Sequence, residues 1–238
     1  MYYIGFKKGL RDGLPICLGY YPVSLAFGVL AVNSGCTWIE ALMISFFNLT
    51  SAGQFAGLTI ITTAGSLIEM ALSQLVINAR YALMSIALSQ KLDKDFNTPS
   101  RAILGFAVTD EIFAVAASQH SVPRRYFAGL AILPIVGWSA GTLTGALLGS
   151  ILPGIVTSAL GVALYGMFVA IFIPKAKEEK EVLFVVVIAM AFSTLQYYTP
   201  VLKEISSGFA VITCTVLAAA IGALLFPVKE TEVEGDAV

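Results

Sequence analysis

Residues 66–90 read SLIEMALSQLVINARYALMSIALSQ, an apolar stretch long enough to cross a lipid bilayer. About 20 helical residues span the hydrocarbon core, and Arg80 lies near the middle of this stretch, too far from either end to reach water easily. A charge at membrane depth costs roughly 2.5 kcal/mol or more, so it usually marks a binding site or a polar pathway. The stretch therefore predicts a central membrane helix that carries part of a functional site.

The composition of the whole chain favours a membrane protein. Of its 238 residues, 58% are hydrophobic and only 12% are charged, too few charges to cover a soluble domain of this size. The near balance of basic and acidic residues gives no basic face, which excludes nucleic acid as a partner. We expect an all-α, polytopic helix bundle in the lipid bilayer that forms one transporter domain over residues 1–226. An acidic and disordered tail is expected at residues 227–238.

The apolar runs and the basic segments between them predict an irregular topology. Seven to eight apolar segments are expected, at residues 14–32, 38–62, 66–90, 102–118, 126–148, 155–173, 182–199 and 206–226. The positive-inside rule can place every basic segment in the cytoplasm only if the run at 102–118 enters and returns, and one of the first two runs does the same. We therefore predict one or two broken or re-entrant segments, which membranes tolerate where the backbone lines a cavity.

Two features bear on the first run in particular. Pro22 predicts a kink or an unwound piece there, because proline removes a backbone donor and clashes with the preceding turn. Leu14-Pro15-Ile16 and Leu133-Pro134-Ile135 each precede glycine-rich apolar sequence. The echo is compatible with two internal repeats of the kind found in transporters.

Polar side chains inside the second and third runs are candidates for a binding site. Gln54 is the strongest of those in the second run, because a carboxamide at membrane depth needs several partners. The small residues around it could equally form an interhelical seam or line a cavity. In the third run Asn78 and Tyr81 share one helical face with Gln74 and Ser85, while Arg80 lies on a second stripe.

The acidic pair Asp110-Glu111 is the strongest candidate partner for Arg80, because it too lies inside an apolar run. Two interpretations of such a pair stay open. The charges could bind a zwitterionic solute, or they could form a permanent ion pair that only fixes helix register.

Other classes of function have little support in the sequence. An enzyme would need a nucleophile and base or a metal cluster, yet the single histidine, His120, is predicted to lie in a turn without a second ligand. The three cysteines are far apart and show no CxxC pattern, so no metal site and no cofactor are expected. A channel for another small solute, with purely structural buried charges, is the alternative to a transporter.

Five motifs together resemble a known family. They are GLRDGLPICLGYYPVSLAFGVLA at residues 9–31, Ala52-Gly53-Gln54-Phe55, Asn78-Ala79-Arg80-Tyr81, Thr109-Asp110-Glu111 and Gly137-Trp138, with Gly141 and Gly145 following. Over residues 9–174 the chain is similar to AzlC-type permease subunits, the large subunits of branched-chain amino acid exporters. The resemblance implies a bacterial inner membrane transporter that exports branched-chain or other apolar amino acids. It also implies a small AzlD-type membrane partner and drive by a proton or ion gradient.

An amino acid carries a carboxylate and an ammonium group, so a site for it must answer both charges. We expect Arg80 to bind the substrate carboxylate, or to be held by Asp110 or Glu111 until substrate arrives. The remaining acidic residue would face the ammonium group or take up a proton. Phe55, Tyr81 and Phe113 would form the apolar wall. The predicted site comprises Arg80, Asp110, Glu111, Asn78, Gln54, Asn48, Ser51, Tyr81 and Thr109.

Overall fold

The computed structural model describes residues 5–149, 173–200 and 202–227, together with isolated positions between 151 and 169. Every regular element in these residues is helical, and the chain divides into two compact units, residues 1–167 and 168–238. The prediction of an all-α membrane bundle is confirmed. Most of the apolar run at 155–173 and the expected disordered tail lie outside the described residues.

The first unit contains seven described helices: α1 (Phe6–Asn33), α2 (Trp38–Phe47), α3 (Ala52–Thr62), α4 (Leu67–Ser89), α5 (Thr98–Gly105), α6 (Asp110–Ala117) and α7 (Arg124–Leu148). The second contains α8 (Lys180–Tyr198) and α9 (Ser207–Leu225), with a 3-10 turn at Leu202–Glu204 between them. Among the described residues, α1, α4, α7, α8 and α9 are long and apolar enough to cross a membrane.

Helices α1 and α7 form the centre of the first unit and run parallel to each other. Small residues let their backbones touch, because a Cβ atom on Gly141 would overlap the carbonyl oxygen of Tyr21, and one on Gly145 that of Leu25. Gly141 and Gly145 have the GxxxG spacing that is typical of close contact between membrane helices, and here the contact is with α1. Each of these pairs lies 120 residues apart along the chain, as the parallel packing of the two helices requires, and the internal repeat stays a prediction.

Of the two alternatives expected near Pro22, a kink or an unwound piece, the unwound piece is wrong. Helix α1 continues through both Pro15 and Pro22. A proline costs one backbone hydrogen bond and a local clash, and the close packing of α1 along α7 compensates for that loss. The break lies in the second apolar run instead, between Phe47 and Ala52.

Helices α2 and α3 form a hairpin whose tip lies halfway along α4. The tip contacts α4 at Tyr81, whereas Gly65, just beyond α3, lies against Glu69 near the start of α4. Helix α3 therefore runs antiparallel to α4 and ends where α4 begins. Each helix of the hairpin is about 16 Å long, half of the distance needed to cross a bilayer. The second apolar run is the re-entrant one of the first two.

Helices α5 and α6 form a second hairpin that enters from the opposite end. Its two flanks lie side by side, because the Val122 amide donates to the Lys91 carbonyl at 2.9 Å and the Asp93 amide donates to the Val122 carbonyl at 3.1 Å. Each helix has eight residues and a length of about 12 Å, too short to cross. The run at 102–118 therefore enters and returns on the same side, as predicted.

The basic residues at the starts of α1 and α7 share one end of this unit. Tyr126 donates a hydrogen bond to Asp12 at 2.8 Å, and Lys8 pairs with the same carboxylate at 2.9 Å. The flanks of the second hairpin lie at this end too, since Lys8 also reaches Gln119 at 3.3 Å. We name it the basic end; α4 finishes there and begins at the far end.

Candidate functional site

The tips of the two hairpins meet at Arg80 and Tyr81 in the middle of α4. The Tyr81 hydroxyl donates to the carbonyl of Thr50 in the first tip at 3.3 Å. Arg80 forms an ion pair with Asp110, the first residue of α6, with 2.7 Å between Nη1 and Oδ2. Two pieces of irregular backbone therefore converge on one charged pair, as in the discontinuous helices of many transporters.

The Arg80 guanidinium has hydrogen-bonding capacity to spare. Nη1 pairs with Asp110 and Nη2 donates to the Tyr81 hydroxyl at 3.2 Å, but Nε is buried with no partner. The side chains of Arg80 and Asp110 are 37% and 28% exposed, so the pair is not sealed inside the unit. A buried donor without a partner costs about 1–3 kcal/mol and is a natural place for a ligand or water.

Two further buried atoms lack partners here, Ser51 Oγ in the tip of the first hairpin and Asn78 Oδ1 on the facing side of α4. Ser51 has φ of 50°, in the left-handed region, and its side chain does not cap α3. Asn78 instead donates to Gln74 at 2.9 Å, and Gln74 donates to the Gly53 carbonyl at 2.8 Å. A hydroxyl and an amide oxygen are thus free at the position where α3 begins.

The tip of the second hairpin presents Glu111 beside Asp110. Thr109 caps α6 by accepting from the Ile112 amide at 3.4 Å, and the first turn of a helix favours negative charge. Glu111 accepts a hydrogen bond from the Tyr20 hydroxyl of α1, and the same hydroxyl lies 2.6 Å from Thr109 Oγ1. Asp110 therefore faces α4, whereas Glu111 faces α1.

Gln54 lies in a separate and fully buried network. Its Oε1 accepts from Trp138 Nε1 at 3.0 Å and its amide donates to Ser45, which lies 2.6 Å from Thr142 Oγ1. Both ends of the carboxamide are therefore occupied, as its burial requires. The Trp138 ring in turn packs edge-on against Tyr20 at 5.2 Å, next to Glu111.

The predicted site residues fall into three groups. Arg80, Asp110, Asn78, Ser51 and Tyr81 meet at the junction of the tips. Thr109 and Glu111 lie on its α1 side. Gln54 is occupied in the buried network, and Asn48 lies in the first tip, where its Oδ1 accepts from Thr50 Oγ1 at 2.7 Å.

Sequence reasoning missed four residues of these networks: Tyr20, Trp138, Ser45 and Thr142. Ser45 and Thr142 could have been found as polar side chains within apolar runs. Tyr20 gave no such signal, because a tyrosine beside a proline is unremarkable in a membrane helix. The expected wall is only partly formed, since Phe55 packs edge-on against Phe27 in the core at 5.2 Å.

Comparison with known proteins places this geometry in context. The family model described as AzlC protein matches residues 15–152. An uncharacterized membrane protein of Archaeoglobus fulgidus is 34% identical over 72% of this chain and 76% of its own length. The inner membrane protein YgaZ of Escherichia coli is 30% identical over 69% of this chain and 71% of its own. The branched-chain amino acid transport protein AzlC of Bacillus subtilis is 24% identical over 74% and 70%, respectively. No solved structure matches the chain significantly.

Proposed function

Because this chain belongs to the AzlC family of multi-pass membrane proteins, which is linked to branched-chain amino acid transport, we propose that it is a secondary transporter that exports branched-chain or similar apolar amino acids. In this proposal residues 1–226 form one transporter domain and carry no enzymatic activity. The chain acts as the large subunit beside a small AzlD-type membrane protein, and a proton or ion gradient drives export.

The observation that carries the proposal is the set of unpartnered polar atoms where the hairpin tips meet. Arg80 Nε and the Ser51 hydroxyl can donate, and Asn78 Oδ1 can accept. An α-amino acid presents the complementary set, a carboxylate that accepts and an ammonium group that donates. These groups match a zwitterion better than an anion, because the ion pair with Asp110 already neutralises Arg80.

Binding would proceed by exchange of partners at Arg80. With no substrate present, Asp110 compensates the guanidinium, since an isolated charge at this depth would be expensive. The substrate carboxylate then accepts hydrogen bonds from Nε and from one of the nitrogens that had paired with Asp110. A planar guanidinium supports such a two-point contact, and an ammonium group does not. Asp110 then pairs with the substrate ammonium group.

The two hairpins give the site access from both sides in turn. One hairpin enters from each end of the unit, and neither is long enough to cross the bilayer. Movement of one tip away from α4 would open the junction to one side while the other tip keeps it closed. This is the arrangement that alternating access around a midplane site requires.

Counterflow of leucine tests the function directly. Membrane vesicles from cells that produce the full-length chain, with and without its small partner, are loaded with unlabelled leucine and diluted into labelled leucine. We expect a transient accumulation of label that saturates with concentration and is absent from vesicles of cells without the chain. Flux that rises linearly with concentration would indicate a channel. No flux of leucine, isoleucine or valine would remove the proposed substrate class.

A further inference from the structure

Glu111 is a carboxylate at the hairpin junction whose charge no described residue neutralises. Asp110 has its counterion in Arg80, but no Lys, Arg or His nitrogen of the described residues lies within 4.0 Å of Glu111. Its hydrogen-bonding partner is the neutral Tyr20 hydroxyl. The other titratable groups that face it are Tyr81 and the neighbouring Asp110, and Arg80 is paired with Asp110. The Glu111 side chain is exposed in the first unit, so water can reach it. At membrane depth, however, a lasting charge without a counterion is costly, so this carboxylate takes up a cation or a proton during the transport cycle.

We infer that Glu111 is the proton-carrying group of this protein and that Tyr20 positions it and connects it to the substrate site. A divalent metal ion fits less well, because Ca²⁺ and Mg²⁺ take six or more oxygen ligands and no cluster of three acidic, histidine or cysteine side chains occurs in the described part of the chain. The role in transport rests on the proposed function; the proton site itself does not.

The geometry around Tyr20 has two hydrogen-bonding states. The hydroxyl has one proton, yet it lies within hydrogen-bonding distance of both Glu111 Oε2 and Thr109 Oγ1. When Glu111 is charged, Tyr20 donates to it. When Glu111 takes up a proton from water on one side, the acid can donate to Tyr20, whose own proton then turns to Thr109. Release of that proton to the other side restores the first state.

This change is placed to reach both hairpins. Thr109 caps α6 of the second hairpin through the Ile112 amide, so a new hydrogen bond at its oxygen alters the cap. The Tyr20 ring packs on Trp138, which donates to Gln54 three residues beyond Ser51 in the first hairpin. Protonation of one carboxylate therefore acts on a contiguous set of packed groups that touches both tips.

The proton site is tested with dicyclohexylcarbodiimide, which adds to protonated carboxylic acids in apolar surroundings and leaves a stable acylurea. Full-length protein in membrane vesicles is treated over a range of pH, and the modified peptide is identified by mass spectrometry. We expect modification of Glu111 that declines as pH rises, and none at Asp110. Glu111→Gln should abolish it, whereas Glu178→Gln, at a carboxylate beside Lys175 in the charged segment, should not. Modification of Asp110 in its place, or of neither residue, would overturn the inference.

The coupling role is tested in the same vesicles by comparing leucine exchange with leucine movement driven by an imposed pH gradient. Glu111→Gln should lower the gradient-driven rate at least tenfold more than it lowers exchange. Equal losses would assign Glu111 to the substrate ammonium group and overturn the inference. If wild-type vesicles exchange no branched-chain amino acid, the proposed function fails, and the carbodiimide result still decides whether Glu111 is a proton site.

The positioning role of Tyr20 has its own readout. Tyr20→Phe keeps the ring against Trp138 but removes the hydroxyl, so we expect a shifted pH profile of gradient-driven transport with little change in the KM for exchange. Tyr198→Phe, at an exposed ring in α8, is the matched control and should leave the profile in place. A Tyr20→Phe profile that superimposes on that of the wild type would overturn the role.

Discussion

Arg80 is the side chain at which ion pairing and substrate binding make different demands. A lysine at this position can still pair with Asp110, but it has neither Nε nor a planar fork of donors. Loss of charge-assisted hydrogen bonds costs about 1.5–3 kcal/mol, so Arg80→Lys should raise the KM for leucine exchange roughly 10- to 150-fold while the protein stays folded. Initial rates of exchange over a range of leucine concentrations measure the effect.

Arg125→Lys is the matched control for that variant, because Arg125 is exposed at the start of α7. It should leave the KM unchanged. An Arg80→Lys protein that exchanges leucine with the wild-type KM would mean that the pair with Asp110 only fixes helix register, as in the second interpretation of the buried charges.

Ser51 offers a way to remove one proposed substrate contact without harming the fold. Its backbone is in the left-handed region with φ of 50°, where glycine is favoured. Ser51→Gly should therefore keep or raise thermal stability. Loss of one hydrogen bond of about 0.5–1.5 kcal/mol should raise the KM for leucine by about 2- to 10-fold. Ala64→Gly changes a residue with φ of 54° outside the site, so it should preserve the KM.

Comparison of these two variants decides whether the Ser51 hydroxyl contacts substrate. Equal KM values for Ser51→Gly and Ala64→Gly would show that Ser51 Oγ does not contact substrate. The pair of variants separates backbone relief, which both share, from loss of the hydroxyl, which only one has.

At this scale the sequence predicted the ion pair and missed its neighbour. Arg80 and the Asp110-Glu111 pair were found because charges are rare in apolar runs, and the sequence alone shows where they occur. Tyr20 was missed because its importance comes from the meeting of α1 with α6, 89 residues away along the chain at Thr109. Gln54 was found as a buried carboxamide, but whether it binds substrate stays a prediction, since its partners lie on α2 and α7.

Among the elements, the α1 and α7 pair depends on the absence of side chains at its contact. A methyl group on Gly145 would collide with the backbone of Leu25, which cannot move aside as a flexible side chain could. Gly145→Ala should therefore destabilise the protein by about 1–3 kcal/mol, the usual cost of overpacking. The fraction of protein that stays monodisperse after heating in detergent measures the loss.

Gly19→Ala is a matched control on the partner helix. A Cβ atom there would meet nothing within 4 Å, and alanine favours a helix by up to about 1 kcal/mol over glycine. We expect unchanged or slightly higher stability. If both variants melted alike, helix propensity rather than close approach would explain the glycines.

The two hairpins illustrate what patterning can and cannot reveal about an element. The return of residues 102–118 followed from the basic flanks, because charge distribution reports sidedness. Which of the first two runs also returns could not be decided in this way. Pro22 indicated a kink or an unwound piece in the first run, yet α1 is continuous because its packing along α7 outweighs one lost hydrogen bond.

At the scale of the whole molecule, the side of the membrane on which the basic segments lie determines which side each hairpin enters from along the proposed transport path. The starts of α1 and α7 share the basic end, which the positive-inside rule places in the cytoplasm. A path through the junction must then pass the α5–α6 hairpin on the cytoplasmic side and the α2–α3 hairpin on the other. In the proposed function both hairpins then act as gates as well as binding elements, and the order of their opening sets the direction of transport.

Labelling of single cysteines with a membrane-impermeant maleimide tests this arrangement, in a chain whose three native cysteines are replaced. The substitutions Lys94→Cys and His120→Cys, on either side of the second hairpin, should give cysteines that react only from the cytoplasmic face. Cysteines at Ser34 and Thr63, on either side of the first, should react only from the opposite face. All four positions are exposed, so a failure to react cannot be ascribed to burial. Reaction of the cysteines at positions 94 and 120 from opposite faces would mean that residues 102–118 cross the bilayer. Reaction of those at positions 34 and 63 from opposite faces would mean that residues 38–62 cross it. Either result would separate the two tips from a common midplane and leave Arg80 without the site proposed around it.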